Sequence, residues 1–289
     1  MSHLTEEIAS QPSTWRHALE VPVAGLPARG ERVAVLGCGT SYYMAQAYAA
    51  LRESSGGGET DAWPASELPA ARRYDRVVAL TRSGTTTEVL AALSRVPDGV
   101  PTVALTAVPA TPVASAAAAV VGLEFADERS VVQTRFATTA LVVLRTHLGE
   151  ETGALPPAAE EALAAPLAPA LTAASQFTFL GTGWTVGLAN EAALKLREAA
   201  QVWTESYYAM EYRHGPISIA APDRVVWFFG PAPAGLVDEL GRTGVHVEQW
   251  AGDPLADLVR VHRLAGALAQ ARGLDPDHPR NLDRSVILT

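Results

Sequence analysis

Residues 33–53 read VAVLGCGTSYYMAQAYAALRE, and residues 177–198 repeat the same pattern as FTFLGTGWTVGLANEAALKLRE. Each stretch begins with a short apolar run, continues with LGxG, and ends as an Ala-rich helical pattern that closes on Arg-Glu. A buried strand that leads into a helix through a Gly-rich turn is typical of parallel α/β units. Because the pattern recurs after about 145 residues, it predicts two similar α/β units in tandem.

Each unit continues with a second apolar run that opens on Arg-Val-Val, RVVALTRSG at 76–84 and RVVWFFG at 224–230. The Ala- and Pro-rich segment 149–174 lies between the units, and we expect a helix flanked by turns there. The sequence therefore predicts two domains, residues 1–150 and residues 151–289, of which the second is the shorter.

The composition is that of a protein with a large core, and it argues against nucleic-acid binding and against sites built from several cysteines. With 289 residues, 48% of them hydrophobic and 18% charged, the chain can bury a large core. The net charge of −9 and the lack of a basic block argue against nucleic-acid binding, which depends on a positive surface. A single cysteine, Cys38, excludes an internal disulfide and the metal sites built from several cysteines.

Neither a leader nor a membrane span is expected. The N-terminal residues MSHLTEEIASQPSTW are polar and acidic, unlike a signal peptide. The apolar segment 101–122 contains three prolines, so a strand, a loop and a short helix fit it better than a membrane span. We therefore expect a cytoplasmic protein that makes no membrane contact.

Hydroxyl side chains cluster after the strands of the first unit. Seven of them are candidates for binding an anion: Thr40, Ser41, Thr81, Ser83, Thr85, Thr86 and Thr87. Ligands of parallel α/β sheets bind at the carboxyl ends of the strands, and helix starts at such loops can hold a phosphate. The alternative is that these residues only cap helices. The GCGTS run at 37–41 is not a dinucleotide fingerprint, because GxGxxG is absent.

Lys195 is the only lysine beside 21 arginines. Glu191, Lys195 and Glu198 are spaced to share one helix face, either as an exposed row of ion pairs or as a site that needs lysine. Arginine could serve the ion pairs, but it cannot give up its proton near neutral pH. His214, in the run EYRHGP, is a second candidate because histidine transfers protons at physiological pH; the alternative is a structural histidine.

These motifs together resemble the sugar isomerase (SIS) domain family. The similarity includes EIASQP, GCGTS, TRSGTTTE, ERSVVQTRFATT, the ALKLRE helix, EYRHGP and the tail ARGLDPDHPRNLDRSV, in that order. The chain is most similar to the isomerase half of glucosamine-6-phosphate synthase and to amino-sugar-phosphate deaminase/isomerases. The resemblance implies an α/β fold of two tandem SIS subdomains, flavodoxin-like and three-layered, with parallel sheets.

The resemblance also implies roles for residues. Glu198 would be the base that moves a proton between C1 and C2, Lys195 would lie beside the reacting carbons, and His214 would assist ring opening from the partner subunit of a homodimer with shared active sites. The implied residues of the sugar-phosphate site are Gly39, Thr40, Ser41, Thr81, Arg82, Ser83, Thr86, Val131, Gln133 and Arg284. Arg82 would add charge at the phosphate.

Two departures from the synthase pattern bear on the reaction. No N-terminal cysteine nucleophile is present, so we do not expect glutamine-dependent amination. Arg284 stands where the synthase tail has a lysine that can form an imine, so any imine would have to use Lys195.

We therefore predict a phosphosugar isomerase or amino-sugar-phosphate deaminase/isomerase. Proton transfer through an enediol needs a carboxylate base, a ring-opening acid and phosphate anchoring, but no metal or organic cofactor. The alternatives are a fructosamine-6-phosphate deglycase and a non-catalytic sugar-phosphate sensor.

Overall fold

Two parallel sheets form the framework of the computed structural model, which describes residues 2–288. The first sheet contains β1 (Val33–Gly37), β2 (Thr60–Pro64), β3 (Arg76–Leu80), β4 (Thr102–Thr106) and β5 (Ala119–Gly122). The second contains β6 (Gln176–Gly181), β7 (Trp203–Tyr208), β8 (Arg224–Phe229) and β9 (His246–Gln249). All neighbouring strands pair in parallel.

The strand orders confirm the predicted repeat. The first sheet runs β2-β1-β3-β4-β5, which is the flavodoxin-like order. The second sheet runs β7-β6-β8-β9, the same order with one strand fewer. The two LGxG stretches supply the corresponding strands β1 and β6, and the two Arg-Val-Val runs supply β3 and β8 beside them.

Helices surround and connect the sheets. Those of the first half are α1 (His3–Ala9), α2 (Gln11–Ala18), α3 (Thr40–Ser54), α4 (Thr87–Leu93), α5 (Val113–Ala116) and α6 (Arg135–His147). Those of the second half are α7 (Leu155–Ala164), α8 (Pro169–Ala173), α9 (Thr185–Ala200), α10 (Leu236–Gly241) and α11 (Pro254–Ala271). No helix among residues 2–288 is long and apolar enough to span a membrane.

Alternate residues of each strand point to opposite apolar layers. Val33 and Val35 of β1 face a core that both halves share, whereas Ala34 and Leu36 face a separate cluster beneath α4 and α5. The outer face of the second sheet is covered in the same way, with α10 supplying Leu236 to the cluster. Strands buried on both faces read as continuous apolar runs, which is why the sequence pattern was clear.

The two helices that follow the LGxG turns pack against each other. Gly187 of α9 is required at their contact, because a Cβ there would lie 2.5 Å from the Tyr43 carbonyl oxygen of α3. Asn190 Nδ2 also donates to Gln46 Oε1 at 2.8 Å. The close approach brings the amino-terminal half of α3 beside α9, the helix that carries Lys195 and Glu198.

The structure agrees with the prediction for segment 101–122 and differs in part from the prediction for segment 149–174. Segment 101–122 forms β4, a loop, the short α5 and β5. Segment 149–174 forms two short helices rather than one, because Ala165 precedes Pro166 and adopts an extended conformation (ψ 134°). The domain boundary at residue 150 stays a prediction.

The two ends of the chain contact each other. The backbone N–H groups of His3 and Leu4 in α1 donate to the Asp277 carboxylate at 2.7 and 2.8 Å.

Candidate active site

A small cavity of about 30 Å³ lies at the carboxyl ends of β1 and β3. The structure brings together seven of the predicted substrate residues around it: Ser41, Thr81, Arg82, Ser83, Thr86, Gln133 and Arg284. Cys38 also lines it and was not predicted; its position directly after β1 was the available signal. Burial raises the pKa of the Cys38 thiol to about 11, so the group is a neutral thiol at physiological pH.

The hydroxyls of this cavity are not used as helix caps. Gly39 precedes α3 and Thr86 precedes α4, and neither position makes a side-chain cap bond. Thr81 Oγ1 is buried without a hydrogen-bond partner among the described residues. Gly84 has φ +65°, and a Cβ there would lie 2.0 Å from Thr111 Oγ1, so the turn that presents the hydroxyls requires glycine. The geometry therefore favours a ligand over the capping interpretation.

The C-terminal tail lies across the hydroxyl loop. Ser285 Oγ accepts hydrogen bonds from Ser83 Oγ at 3.1 Å and Thr85 Oγ1 at 2.9 Å. The Val286 carbonyl accepts from the Thr87 N–H at 3.1 Å. Ser285 was missed at the sequence level, although it directly follows the predicted Arg284. The tail thus joins the hydrogen-bonded group of hydroxyls in this loop.

Arg82 lines the cavity and is also bound to backbone carbonyls. Its side chain is only 2% exposed, and it donates to the carbonyls of Ser130, Val131 and Arg284 at 3.0, 3.2 and 2.9 Å. Glu128 Oε2 lies 3.7 Å from it. The terminal nitrogens bind backbone carbonyls and so join the tail to the 128–131 segment, whereas Nε of Arg82 has no hydrogen-bond partner among the described residues.

Arg284 lines the cavity, whereas Gly39, Thr40 and Val131 do not. Arg284 pairs with Asp127 and donates to the Glu128 carbonyl. Val131 contributes its backbone, whose N–H donates to the Asp277 carbonyl at 3.2 Å. Gly39 faces α9, where an added Cβ would lie 3.8 Å from Leu194 Cδ2. Its neighbour Thr40, buried at the start of α3, faces a carboxyl group of α9.

That carboxyl group belongs to a buried triad on α9. Lys195 and Glu191 are both 0% exposed, so an exposed row of ion pairs is excluded. Lys195 Nζ is ion-paired with Glu198 Oε2 and lies 3.5 Å from Glu191 Oε1. The Lys195 ammonium therefore contacts two carboxyl groups of different burial, since the Glu198 side chain is 20% exposed.

Burial and neighbouring charges shift the pKa values of Glu191 and Lys195. Burial raises the pKa of Glu191 to about 8, against the opposing effect of the Lys195 ammonium. Burial lowers the pKa of Lys195, but Glu191 and Glu198 outweigh this effect and raise it above its ordinary value. Lys195 is therefore an ammonium, which disfavours the neutral amine that an imine would require.

Glu198 opens onto a second cavity of about 650 Å³. Its wall combines α9, the start of β7, the end of α11 and the tail, through Ser175, Leu194, Arg197, Glu198, Gln201, Val202, Trp203, Arg272, Arg280, Asn281 and Leu282. The tail therefore runs from this cavity at residues 280–282 to the hydroxyl loop at Ser285. A ligand that spans both cavities would place its anion on the hydroxyls and its other end at Glu198.

His214 lies apart from both cavities. It ends the short 3-10 turn Glu211–His214 after β7, and it is exposed. The surface beside it carries Tyr208, 58% exposed, and Met210, 53% exposed. Within one chain, the structure does not bring His214 to Glu198, so a role for it in the same site requires a second copy of the chain.

Comparisons with known proteins agree with this architecture. Residues 28–146 match the SIS domain family model. The glutamine–fructose-6-phosphate aminotransferase (isomerizing) of Methanothermobacter thermautotrophicus is 28% identical over 98% of the chain and 57% of its own length. The chain thus spans slightly more than half of that relative.

Solved structures give the same result. Glucosamine-6-phosphate deaminase from Thermotoga maritima superposes with a TM-score of 0.79 and 25% identity, covering 99% of this chain and 100% of that one. Tagatose-6-phosphate ketose/aldose isomerase from Escherichia coli, 20% identical over 100% of this chain and 96% of its own, shares the fold with a TM-score of 0.79. Residues 28–146 therefore match the SIS domain family, and the whole chain is similar in sequence and fold to relatives that include a glucosamine-6-phosphate deaminase.

Proposed function

We propose that the protein is a phosphosugar isomerase or amino-sugar-phosphate deaminase/isomerase that moves a proton between C1 and C2 of a 6-phosphosugar. The observation that carries the proposal is Glu198, which is ion-paired with Lys195 and lines one cavity, while the tail runs from that cavity to the loop of the hydroxyl-lined cavity. The names of the relatives, a glucosamine-6-phosphate deaminase among them, support the same substrate class.

The phosphate would occupy the hydroxyl loop. Ser41, Thr81, Ser83 and Thr86 supply neutral donors, and the N–H groups at the start of the long helix α3 lie at the same edge of the sheet. Hydrogen bonds to a charged acceptor are about twice as strong as neutral ones. Binding would replace the contacts that Ser285 makes with Ser83 and Thr85.

Glu198 would act as the base. As the more exposed carboxylate of the triad, it can reach a substrate carbon in the cavity, remove the C2 proton and return it to C1. Lys195 stays protonated and stabilises the negative charge that develops on the enediol oxygen. His214 of the partner subunit would protonate the ring oxygen, in a homodimer with shared sites.

A turnover screen tests this proposal. Purified protein is incubated with 6-phosphosugars and with 6-phospho-amino sugars, while aldose–ketose conversion and ammonia release are followed separately. Turnover of a phosphorylated sugar but not of its unphosphorylated counterpart is expected, and Glu198→Gln should abolish it. Tight binding of a sugar phosphate without any conversion would instead establish a sensor and refute the proposal.

A further inference from the structure

A buried chain of polar side chains lies beneath the catalytic helix. His262 of α11 is only 1% exposed, within a helix whose Leu258, Val259 and Leu264 belong to the apolar core. A buried imidazole needs hydrogen-bond partners, because an unsatisfied polar group costs about 1–3 kcal/mol. The partners that the fold supplies determine which ring nitrogen carries the proton.

Gln11 of α2 sets the tautomer of His262. The Trp15 indole N–H can only donate, and it donates to Thr138 Oγ1 at 3.0 Å. The Thr138 hydroxyl then donates to Gln11 Oε1 at 2.8 Å, which turns Gln11 Nε2 toward His262 Nδ1 at 3.2 Å. The carbonyl of Ile8, an acceptor only, lies 3.4 Å from the same Nε2. Nδ1 of His262 is therefore the acceptor, and its hydrogen is on Nε2.

The Nε2–H group faces Glu191. His262 Nε2 and Glu191 Oε1 are 3.9 Å apart, and neither has a hydrogen bond of ordinary geometry among the described residues. Burial and the nearby Lys195 ammonium lower the pKa of His262 well below its usual value, so the ring is a neutral donor. Lys195 Nζ approaches the same oxygen at 3.5 Å. That oxygen accepts whether Glu191 is a carboxylate or a carboxylic acid.

We propose that His262 is a positioning residue for proton transfer: Gln11 holds it as the Nε2–H tautomer, and it fixes the Glu191 carboxyl that supports Lys195 against Glu198. The proposal rests on the proposed function, since it assigns Glu198 the role of base. Without the imidazole donor, only Thr40 and Lys195 hold the Glu191 carboxyl, and a turn of that carboxyl changes the position of Lys195 Nζ between Glu191 and Glu198. A displacement of about 1 Å in a catalytic group can cost about 10²-fold in rate.

The tautomer is measured without substrate. Protein labelled with ¹⁵N at its seven histidines is examined by long-range ¹H–¹⁵N NMR, and His262 is assigned from the signal that disappears in His262→Gln. A protonated Nε2 and an unprotonated Nδ1 are expected at neutral pH. An imidazolium, or a ring with the proton on Nδ1, would overturn the proposal. Gln11→Leu removes the donor to Nδ1, so the protein should then also contain the His262 tautomer with its proton on Nδ1.

A matched pair of variants tests the positioning role. The amide of His262→Gln can reach the place of Nε2 and keep a donor toward Glu191, whereas that of His262→Asn reaches only the place of Nδ1 and keeps the contact with Gln11. We expect kcat to fall about 10- to 100-fold in His262→Asn and to stay within about 3-fold in His262→Gln, with KM within about 2-fold in both.

Equal kcat values in the two variants, or a loss confined to KM, would show that His262 is structural. Thermal unfolding of both variants establishes that each is folded under the assay conditions. A wild-type protein that turns over no phosphosugar would refute the proposed function itself, and it is recognised separately because the tautomer measurement needs no substrate.

Discussion

Replacing Glu191 with glutamine should change how the stability of the protein depends on pH. The groups that face this carboxyl are Lys195 and Glu198 from its own helix, Thr40 from α3 and His262 from α11. Burial is the largest influence and raises its pKa to about 8, from an ordinary 4.5. Glutamine has the shape of the protonated carboxyl, keeps an acceptor oxygen, and does not titrate.

The direction of the effect follows from proton binding. Between about pH 4.5 and pH 8 the folded protein holds a proton on Glu191 that the unfolded chain has lost. Because the folded state then binds more protons, raising the pH through this window destabilises the wild type. Below about pH 4.5 both states are protonated at this position, and the effect vanishes.

The magnitude comes from the two pKa values. Integrating the proton-binding difference from about pH 5 to about pH 9 shows that the free energy of unfolding of the wild type falls by about 4 kcal/mol because of Glu191. The Glu191→Gln variant lacks this titrating group and does not lose this stability. Titrating groups distant from Glu191 contribute equally to both proteins, so the difference between their free energies of unfolding reports Glu191 together with its neighbours Lys195 and Glu198.

Denaturant unfolding of both proteins at several pH values is the assay. We expect Glu191→Gln to gain several kcal/mol on the wild type as the pH rises, with most of the change below about pH 8. A difference between Glu191→Gln and wild type that is constant across the pH range would show that Glu191 is ionised throughout, and would refute this account of the triad.

Three further outcomes are expected. Ser83→Ala should weaken phosphosugar binding by about 1.5–3 kcal/mol in calorimetry, and the exposed control Ser94→Ala should leave it unchanged; equal affinity in both would place the phosphate elsewhere. Mixing inactive His214→Ala with inactive Glu198→Gln should restore part of the activity as hybrid dimers form, whereas confirmed subunit exchange without recovery would contradict shared sites. Lys195→Arg should lose about 10²-fold or more in kcat, because a bulkier guanidinium must replace a fully buried ammonium; full activity would exclude a lysine-specific role.

Much of the fold could be predicted because its strands are buried on both faces. Continuous apolar runs such as VAVLG and RVVAL, each followed by a Gly-rich turn, specify parallel α/β units directly. The hydroxyl residues of the loops could be predicted for the same reason, since they directly follow β1 and β3 at one edge of the sheet.

Residues whose role depends on distant contacts were missed. Spacing placed Glu191 on the face of Lys195, but only tertiary packing shows that both are fully buried. Gln11 and His262 are 251 positions apart and meet only in the folded protein. Arg82 was assigned to the phosphate from its place in the loop, yet the backbone carbonyls that bind it come from two other segments. A local pattern carries no signal for such partners.

The central claim is that Glu198 moves a proton between C1 and C2 of a phosphosugar, and deuterium exchange from heavy water measures this step directly. Incubated with its 6-phosphosugar in heavy water, the wild type should introduce deuterium at C1 or C2, detected by NMR, even where net conversion is slow. Glu198→Gln cannot accept the proton, so it should bind the sugar phosphate and introduce no deuterium. Undiminished exchange in Glu198→Gln, with binding intact, would contradict the account.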